Sequence, residues 1–489
     1  MPRLPALLYF AAASALLGSL LFGYHLGVLN TCQTHVEADL HGSGGILVTG
    51  FLMGATAGSL LSGRLADRCG PRTASALNTS VLLAGAALST FTGGFWVMLA
   101  GRVAAGLGSG AASVLCPRYL AELSPVAIRG SLGTLTQVTV NVGILCSYLV
   151  GLPYEQGTDT ITLFGHQVQW WRVMFGAAIV PALVQFVALA RCPESPLWLM
   201  NAGQTARAEK ALRRLHGHAF RPQDYPKLQQ AGAAAAAAAE GTQPLLSAAE
   251  QGGSSHEGGC TSSGQHGQHR SLGWSALLQP RYRRVMVLAS AIPLLQQLSG
   301  INSIVFFSTK VFEQAGLQSP IVGSIAVGAT NLGFTLVAAA LMERAGRRFL
   351  LIMSFSGMAA CLATLAAFML LPSTRFAPKS LEGAASLACI MGFMVCFALG
   401  AGPIPFLVLP EILPQEIMGT AQAFCTSLNW SSNILIGACF PVMLSTLGIA
   451  GSYLVFAALC ASSALFFHRH MVETKGQTVE AIHVLLVGS

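Results

Sequence analysis

Seven side-chain amides lie inside long apolar runs, where an unpaired amide is costly unless it meets a neighbouring helix or a wet cavity. They are Gln137 in GTLTQ, Gln296, Gln297 and Asn302 in QQLSGIN, Asn331 in GATNLGF, and Asn429 with Asn433 in NWSSN. An amide both donates and accepts without a charge to desolvate, so such a set suits a neutral ligand rich in hydroxyls. The competing use of a lone membrane amide is to hold two helices together. On a continuous helix, Gln296 or Gln297 comes near the face of Asn302. No Ser-His-Asp, paired-carboxylate or metal-ligand spacing accompanies them, so the residues point to binding and movement, not to an enzyme, and no cofactor or metal is expected.

These amides sit in a chain of 489 residues that is 53% hydrophobic and only 9% charged. Ordinary soluble domains carry about 25% charged residues. Apolar runs of about 20 residues match the length that crosses a bilayer as helix. Twelve spans are read: 6–29, 44–63, 74–92, 96–117, 131–151 and 170–190, then 285–308, 321–342, 349–371, 384–408, 420–444 and 449–468. The fold class expected is an all-α membrane protein of two six-helix halves, 1–190 and 285–470, with a linker at 191–284 and a tail at 471–489. Within the linker, TARAEKALRRLHGH reads as helix and GGSSHEGGCTSSGQHGQH as disordered text.

The net charge of +8 does not indicate nucleic acid, because Lys and Arg fall in short segments between the spans. Arg64, Arg68, Arg72, Arg118, Arg129, the linker, Arg344, Arg347, Arg348, Arg469 and Lys475 share one side, which the positive-inside rule makes cytoplasmic or its equivalent. The N-terminal apolar run continues to about Val28 without a small-residue cleavage site, which favours a first span over a removed signal. Twelve single cysteines read as small core residues.

Two signals recur in each half: DRCGPR at 67–72 with ERAGRR at 343–348, and ELSPVAIRG at 122–130 with EILPQEIMG at 411–419. Parallel six-span repeats place substrate between the halves at mid-membrane. Seven motifs in order then carry a resemblance: GRLADRCGPR, PRYLAELSPVAIRG, PESPLWL, QQLSGIN, ERAGRR, GPIPF and VETKGQT. Over essentially its whole length the chain resembles a sugar porter of the major facilitator superfamily. FGYHLGV, GTLTQ and LGAGPIPFLVLPEI look most like plastidic glucose translocators of plants and algae.

The resemblance implies a hexose, glucose first, held by Gln137, Gln296, Gln297, Asn302 and Asn331, with Asn429 nearby and Phe406 and Trp430 packing on the sugar face. It implies gating by Asp67, Arg68, Arg72, Glu122, Arg129, Glu194, Glu343, Arg347, Arg348 and Glu411, charges at helix ends that pair in one conformation and part in the other. Met418 stands where the second-half motif carries a basic residue, Phe406 where many relatives carry Trp, and Ala398 where many carry Glu. Proton-driven relatives have Asp in the first span near an Arg in the fourth; here the pair is His25 and Arg102. Loss of the carboxylate favours facilitated diffusion. A proton-coupled hexose or polyol symporter using His25, and a sugar sensor signalling through the linker, stay open. A monomer with sugar and bilayer as its partners is expected, in a plastid inner envelope or, alternatively, a plasma membrane.

Overall fold

The computed structural model describes residues 6–124, 126–163, 165–216, 277–314, 317–370, 379–414 and 417–474. Helices dominate because lipid offers no partner for backbone N–H and C=O groups, so each span must satisfy them within itself. The N-terminal half contains α1 (Ala6–Leu40), α2 (Gly44–Cys69), α3 (Pro71–Thr90), α4 (Phe95–Leu123), α5 (Val126–Val150), and a sixth passage made of α6 (Trp170–Gly176) and α7 (Ile179–Arg191). A two-stranded hairpin, β1 (Thr160–Leu163) with β2 (His166–Gln169), tops the connection from α5 to α6. Two short helices follow the sixth passage, α8 (Pro196–Asn201) and α9 (Thr205–His216), the latter over the stretch read as helix in the linker.

The C-terminal half contains α10 (Arg283–Leu298), α11 (Ile301–Gln314), α12 (Pro320–Ala345), α13 (Arg347–Leu370), α14 (Lys379–Cys396), α15 (Ile404–Ile412) and α16 (Met418–His470). Ten described segments are long and apolar enough to cross a membrane. One of them, Phe424–His470, is two passages, since Gly448 turns the chain at φ 68° inside α16. The more polar α3 supplies the remaining passage, which gives the twelve expected.

Within the N-terminal half, helices meet backbone to backbone. A Cβ added at Gly54 or Gly58 of α2 would strike the carbonyls of Val103 or Leu107 on α4, and one at Gly106 or Gly110 would strike those of Phe51 or Ala55 in return. α1 and α5 repeat the arrangement through Gly23 against Val140 and Gly143 against Leu20. Small residues at both positions of a crossing allow this approach, and close packing substitutes for a hydrophobic drive that lipid does not provide.

Two passages of the C-terminal half are interrupted beside the buried amides. α10 and α11 form one span broken at Ser299 and Gly300, where Gly300 has φ 85° and a Cβ would lie 2.7 Å from the Phe456 ring. The tenth span runs through α14, a π-helical turn at Phe397–Ala401, and α15, with Pro403 ending the turn. Pro403 and Pro405 lie at this interruption, and each removes a helix donor.

The first span is longer than read. α1 continues eleven residues beyond 29, to Leu40, and these carry Asn30, Gln33, His35 and Glu37. Polarity ended the sequence-based span, but Asn30 and Glu37 find partners on other helices and the helix persists. Asn30 and Glu37 reach the C-terminal half, and Glu37 accepts the Gly44 N–H at the start of α2 at 2.8 Å.

Candidate functional site

The break at Gly300 shapes the amide cluster of the C-terminal half. Gln296 and Gln297 end α10, Asn302 begins α11, and Asn429 approaches from α16. Gln296 Nε2 donates to the backbone oxygens of Ala401 at 2.8 Å and Gly402 at 3.1 Å, at the end of the π-turn. Asn429 Nδ2 donates to Gln296 Oε1 at 3.1 Å, while Asn429 Oδ1 accepts from Gln297 Nε2 at 3.1 Å. Asn302 Nδ2 donates to Gln297 Oε1. The sequence placed Gln296 or Gln297 near the face of Asn302 on a continuous helix; the structure joins them across a break that lets the amide of α11 point back at those of α10. Gln296, Gln297 and Asn302 are buried.

A second amide cluster crosses between the halves. On α5, Gln137 Nε2 donates to Asn141 Oδ1 at 3.4 Å; on α12, Asn331 Nδ2 donates to the same oxygen at 3.3 Å. Asn141 Nδ2 donates to Thr335 Oγ1 at 2.9 Å. Sequence reasoning missed Asn141, a single amide four residues after Gln137 in VTVNVG; that one-turn spacing was the available signal. Trp430 of α16 is buried and its ring centroid lies 6.0 Å from that of Phe22 on α1, so it too faces the opposite half. Asn433, one turn further, is buried with its Oδ1 unbonded among the described residues. The side chain of Phe406 lies outside the described residues.

His25 and Arg102 are brought together, but not as a side-chain pair. Arg102 Nη1 donates to the backbone oxygen of His25 at 3.0 Å, and its guanidinium lies 4.4 Å from the Phe51 ring centroid and 5.8 Å from that of Phe175. Both residues are buried, and neither ring nitrogen of His25 has a hydrogen-bond partner among the described residues. An aromatic sandwich is an effective desolvated environment for a guanidinium.

At the end bearing the Arg-rich loops, charges bind within each half. Arg118 joins Asp67 at 2.9 Å and Glu122 at 2.9 Å, and Ser195 Oγ donates to Glu122. Glu194 accepts the backbone N–H groups of Arg72 at 2.9 Å and Thr73 at 3.3 Å, capping the N-terminus of α3, while Arg72 Nε reaches the Leu189 oxygen at 2.7 Å. The repeat has its counterpart: Glu473 accepts the N–H groups of Arg347 at 2.8 Å and Arg348 at 3.1 Å at the start of α13. Arg118 and Glu473 were absent from the expected gate. The side chains of Arg129, Glu343 and Glu411 lie outside the described residues, and Arg68 enters none of these contacts.

At the end opposite the Arg-rich loops, the halves are clasped. Asn30 Nδ2 donates to Ser308 Oγ at 2.9 Å, Lys310 Nζ meets Glu37 Oε2 at 3.4 Å, and Tyr148 Oη donates to the Val305 oxygen at 2.9 Å. Glu155, just beyond α5, accepts the Ile321 N–H at 2.7 Å and so caps α12 from the other half.

Twelve passages in repeated halves, a polar core of neutral amides and helix-end charge motifs define a multi-pass membrane transporter of the major facilitator fold. The family model described as "Sugar (and other) transporter" matches residues 11–486, and the chain belongs to that family. It is 36% identical over 480 residues to plastidic glucose transporter 4 of Arabidopsis thaliana, spanning 96% of this chain and 79% of that one. It is 31% identical to the facilitated glucose transporter member 4 of Bos taurus, covering 98% of this chain and 91% of that one. In fold it resembles the xylose transporter XylE from E. coli in a partially occluded inward open conformation, with a TM-score of 0.75 at 24% identity over 97% of this chain and 100% of that one.

Proposed function

We propose that the protein carries a hexose, glucose foremost, across a membrane by alternating access and down its concentration gradient. The observation that carries this reading is the set of uncharged amides, buried Gln296, Gln297 and Asn302 with half-buried Asn429 in one half, and half-buried Gln137 with buried Asn331 facing across the interface, which offers a pyranose paired donors and acceptors without charge. Trp430 supplies a ring for its C–H face. The outer clasp makes this conformation closed on the side away from the Arg-rich loops; sugar then exchanges with the compartment facing those loops. Rocking the halves breaks the clasp and brings the motif-bearing ends together.

Relatives named as plastidic glucose transporters and as facilitated glucose transporters support the substrate and the uniport mode, and the former support a plastid envelope. The protein is taken to act as a monomer, with residues 1–190 and 285–470 as the moving halves and 191–284 joining them. A proton-coupled mode has one observation in its favour, the two unpaired ring nitrogens of buried His25.

The test is uptake of labelled glucose by proteoliposomes, with and without an imposed proton gradient. Uptake that stops at equilibration, ignores the gradient and falls at least about tenfold in Gln296→Ala is expected from loss of hydrogen bonds to two carbonyls and one amide. Accumulation driven by the gradient transfers the mechanism to symport and makes His25→Ala the next variant. No hexose flux overturns the assignment.

A further inference from the structure

Gln137 and Asn331, the two amides offered to the sugar from opposite halves, each spend an N–H on one oxygen, Asn141 Oδ1, at 3.4 and 3.3 Å. Both distances exceed the ordinary range of about 2.7–3.2 Å for such bonds, so a better-placed acceptor displaces this oxygen at low cost. The third bond, from Asn141 Nδ2 to Thr335 Oγ1 at 2.9 Å, is well formed and anchors the side chain where the weak pair needs it. Asn141 is buried and belongs to α5, whereas Asn331 and Thr335 belong to α12, so the arrangement also ties the halves together. One oxygen accepting from two converging amides is the geometry that a sugar hydroxyl presents to them.

We propose that Asn141 is an internal stand-in for the hexose: in the empty carrier its side-chain oxygen occupies the donors of Gln137 and Asn331, and the sugar binds by displacing it. Asn141 therefore acts as a positioning residue that sets apparent affinity. The inference rests on the hexose reading of the same site and adds a competitor to it.

The competition fixes the sign of the test. Asn141→Val removes the competing oxygen and leaves the buried Asn331 donor and the half-buried Gln137 donor without it until sugar arrives, so glucose binding should tighten. Asn141→Thr has the same shape as Val but keeps an acceptor. Binding of glucose to purified protein, followed by intrinsic tryptophan fluorescence, and KM and maximal rate of equilibrium exchange in proteoliposomes provide the readouts. Asn141→Val is expected to lower Kd and KM about fivefold, the scale of one hydrogen bond, with maximal exchange within about twofold of wild type. Asn141→Thr should stay near wild type. Thr335→Val, which frees the anchor, should shift affinity the same way by about twofold, and it decides the matter if Asn141→Val cannot be recovered folded.

Unchanged or weaker glucose binding in Asn141→Val, or Asn141→Thr behaving as Asn141→Val, overturns the inference while wild-type uptake keeps the hexose reading intact. A wild-type protein that moves no hexose overturns the hexose reading and the stand-in with it.

Discussion

The two halves repeat the same six-span plan and the same motifs, but their spans are joined in different ways. In the N-terminal half α2 meets α4, and α1 meets α5, at glycines whose nearest neighbours are backbone carbonyls, so at those crossings there is little side chain to repack. In the C-terminal half the seventh span is broken at Gly300 and the tenth at the π-turn of Phe397–Ala401, and both breaks lie against the amide cluster. Close-packed interiors behave as rigid bodies with a few discrete arrangements rather than as continuously deformable ones. The N-terminal half is thus suited to move as a block, and the C-terminal half to bend locally where it holds the ligand. The carbonyls of Ala401 and Gly402 tie the π-turn to the ligand site, since Gln296 bonds both.

That contrast can be broken most decisively at the glycine seams. Gly110→Val should cost about 3 kcal/mol or more, because the carbonyl of Ala55 has nowhere to go, whereas Gly63→Val should be neutral since no atom lies within 4 Å of its added Cβ. Thermal unfolding in detergent separates the two; a tolerated Gly110→Val removes the argument for a rigid block. A smaller effect sharpens the contrast at the ligand. Gln297→Ala loses contacts with both Asn429 and Asn302 and should reduce glucose uptake about tenfold. Gln137→Ala gives up a single 3.4 Å contact and should reduce it about threefold at most. Equal losses would mean that the halves share the ligand evenly. The smallest effect belongs to the outer clasp. Lys310→Met breaks a half-exposed pair with Glu37 worth roughly 0.5–1 kcal/mol, and should raise hydrogen exchange at the outer ends of α1 and α11 two- to threefold. No change there would leave the clasp to Asn30, Tyr148 and Glu155.

Much of this was legible in the sequence because membrane solvent leaves little freedom. Apolar length gave the number of spans, and the duplicated DRCGPR and ELSPVAIRG text marked the halves. Amides at 296, 297 and 302 were identifiable since each breaks an apolar run. Asn141 does so as well, but its importance lies in partners on α12, 190 and 194 residues away, which one sequence does not reveal. The α1 extension was invisible for the same reason: Asn30 and Glu37 read as the end of a span until Ser308 and Lys310 are seen opposite them. Arg118 was counted for sidedness alone, although its i,i+4 spacing to Glu122 already placed it beside the gate. The reverse holds for His25, whose expected partner Arg102 bonds its backbone, not its ring.

Arg102 also has an electrical consequence. A guanidinium held between Phe51 and Phe175 fixes one positive charge inside the bilayer. At an effective dielectric of about 20, a small cation 8 Å away meets roughly 2 kcal/mol of repulsion, enough to thin its local population about thirtyfold. Because α1, α2, α4 and α6, which form this cradle, all belong to the N-terminal half, the charge travels with its insulation when the half tilts. A cation brought near it meets the same repulsion in either orientation, whereas an uncharged passenger does not.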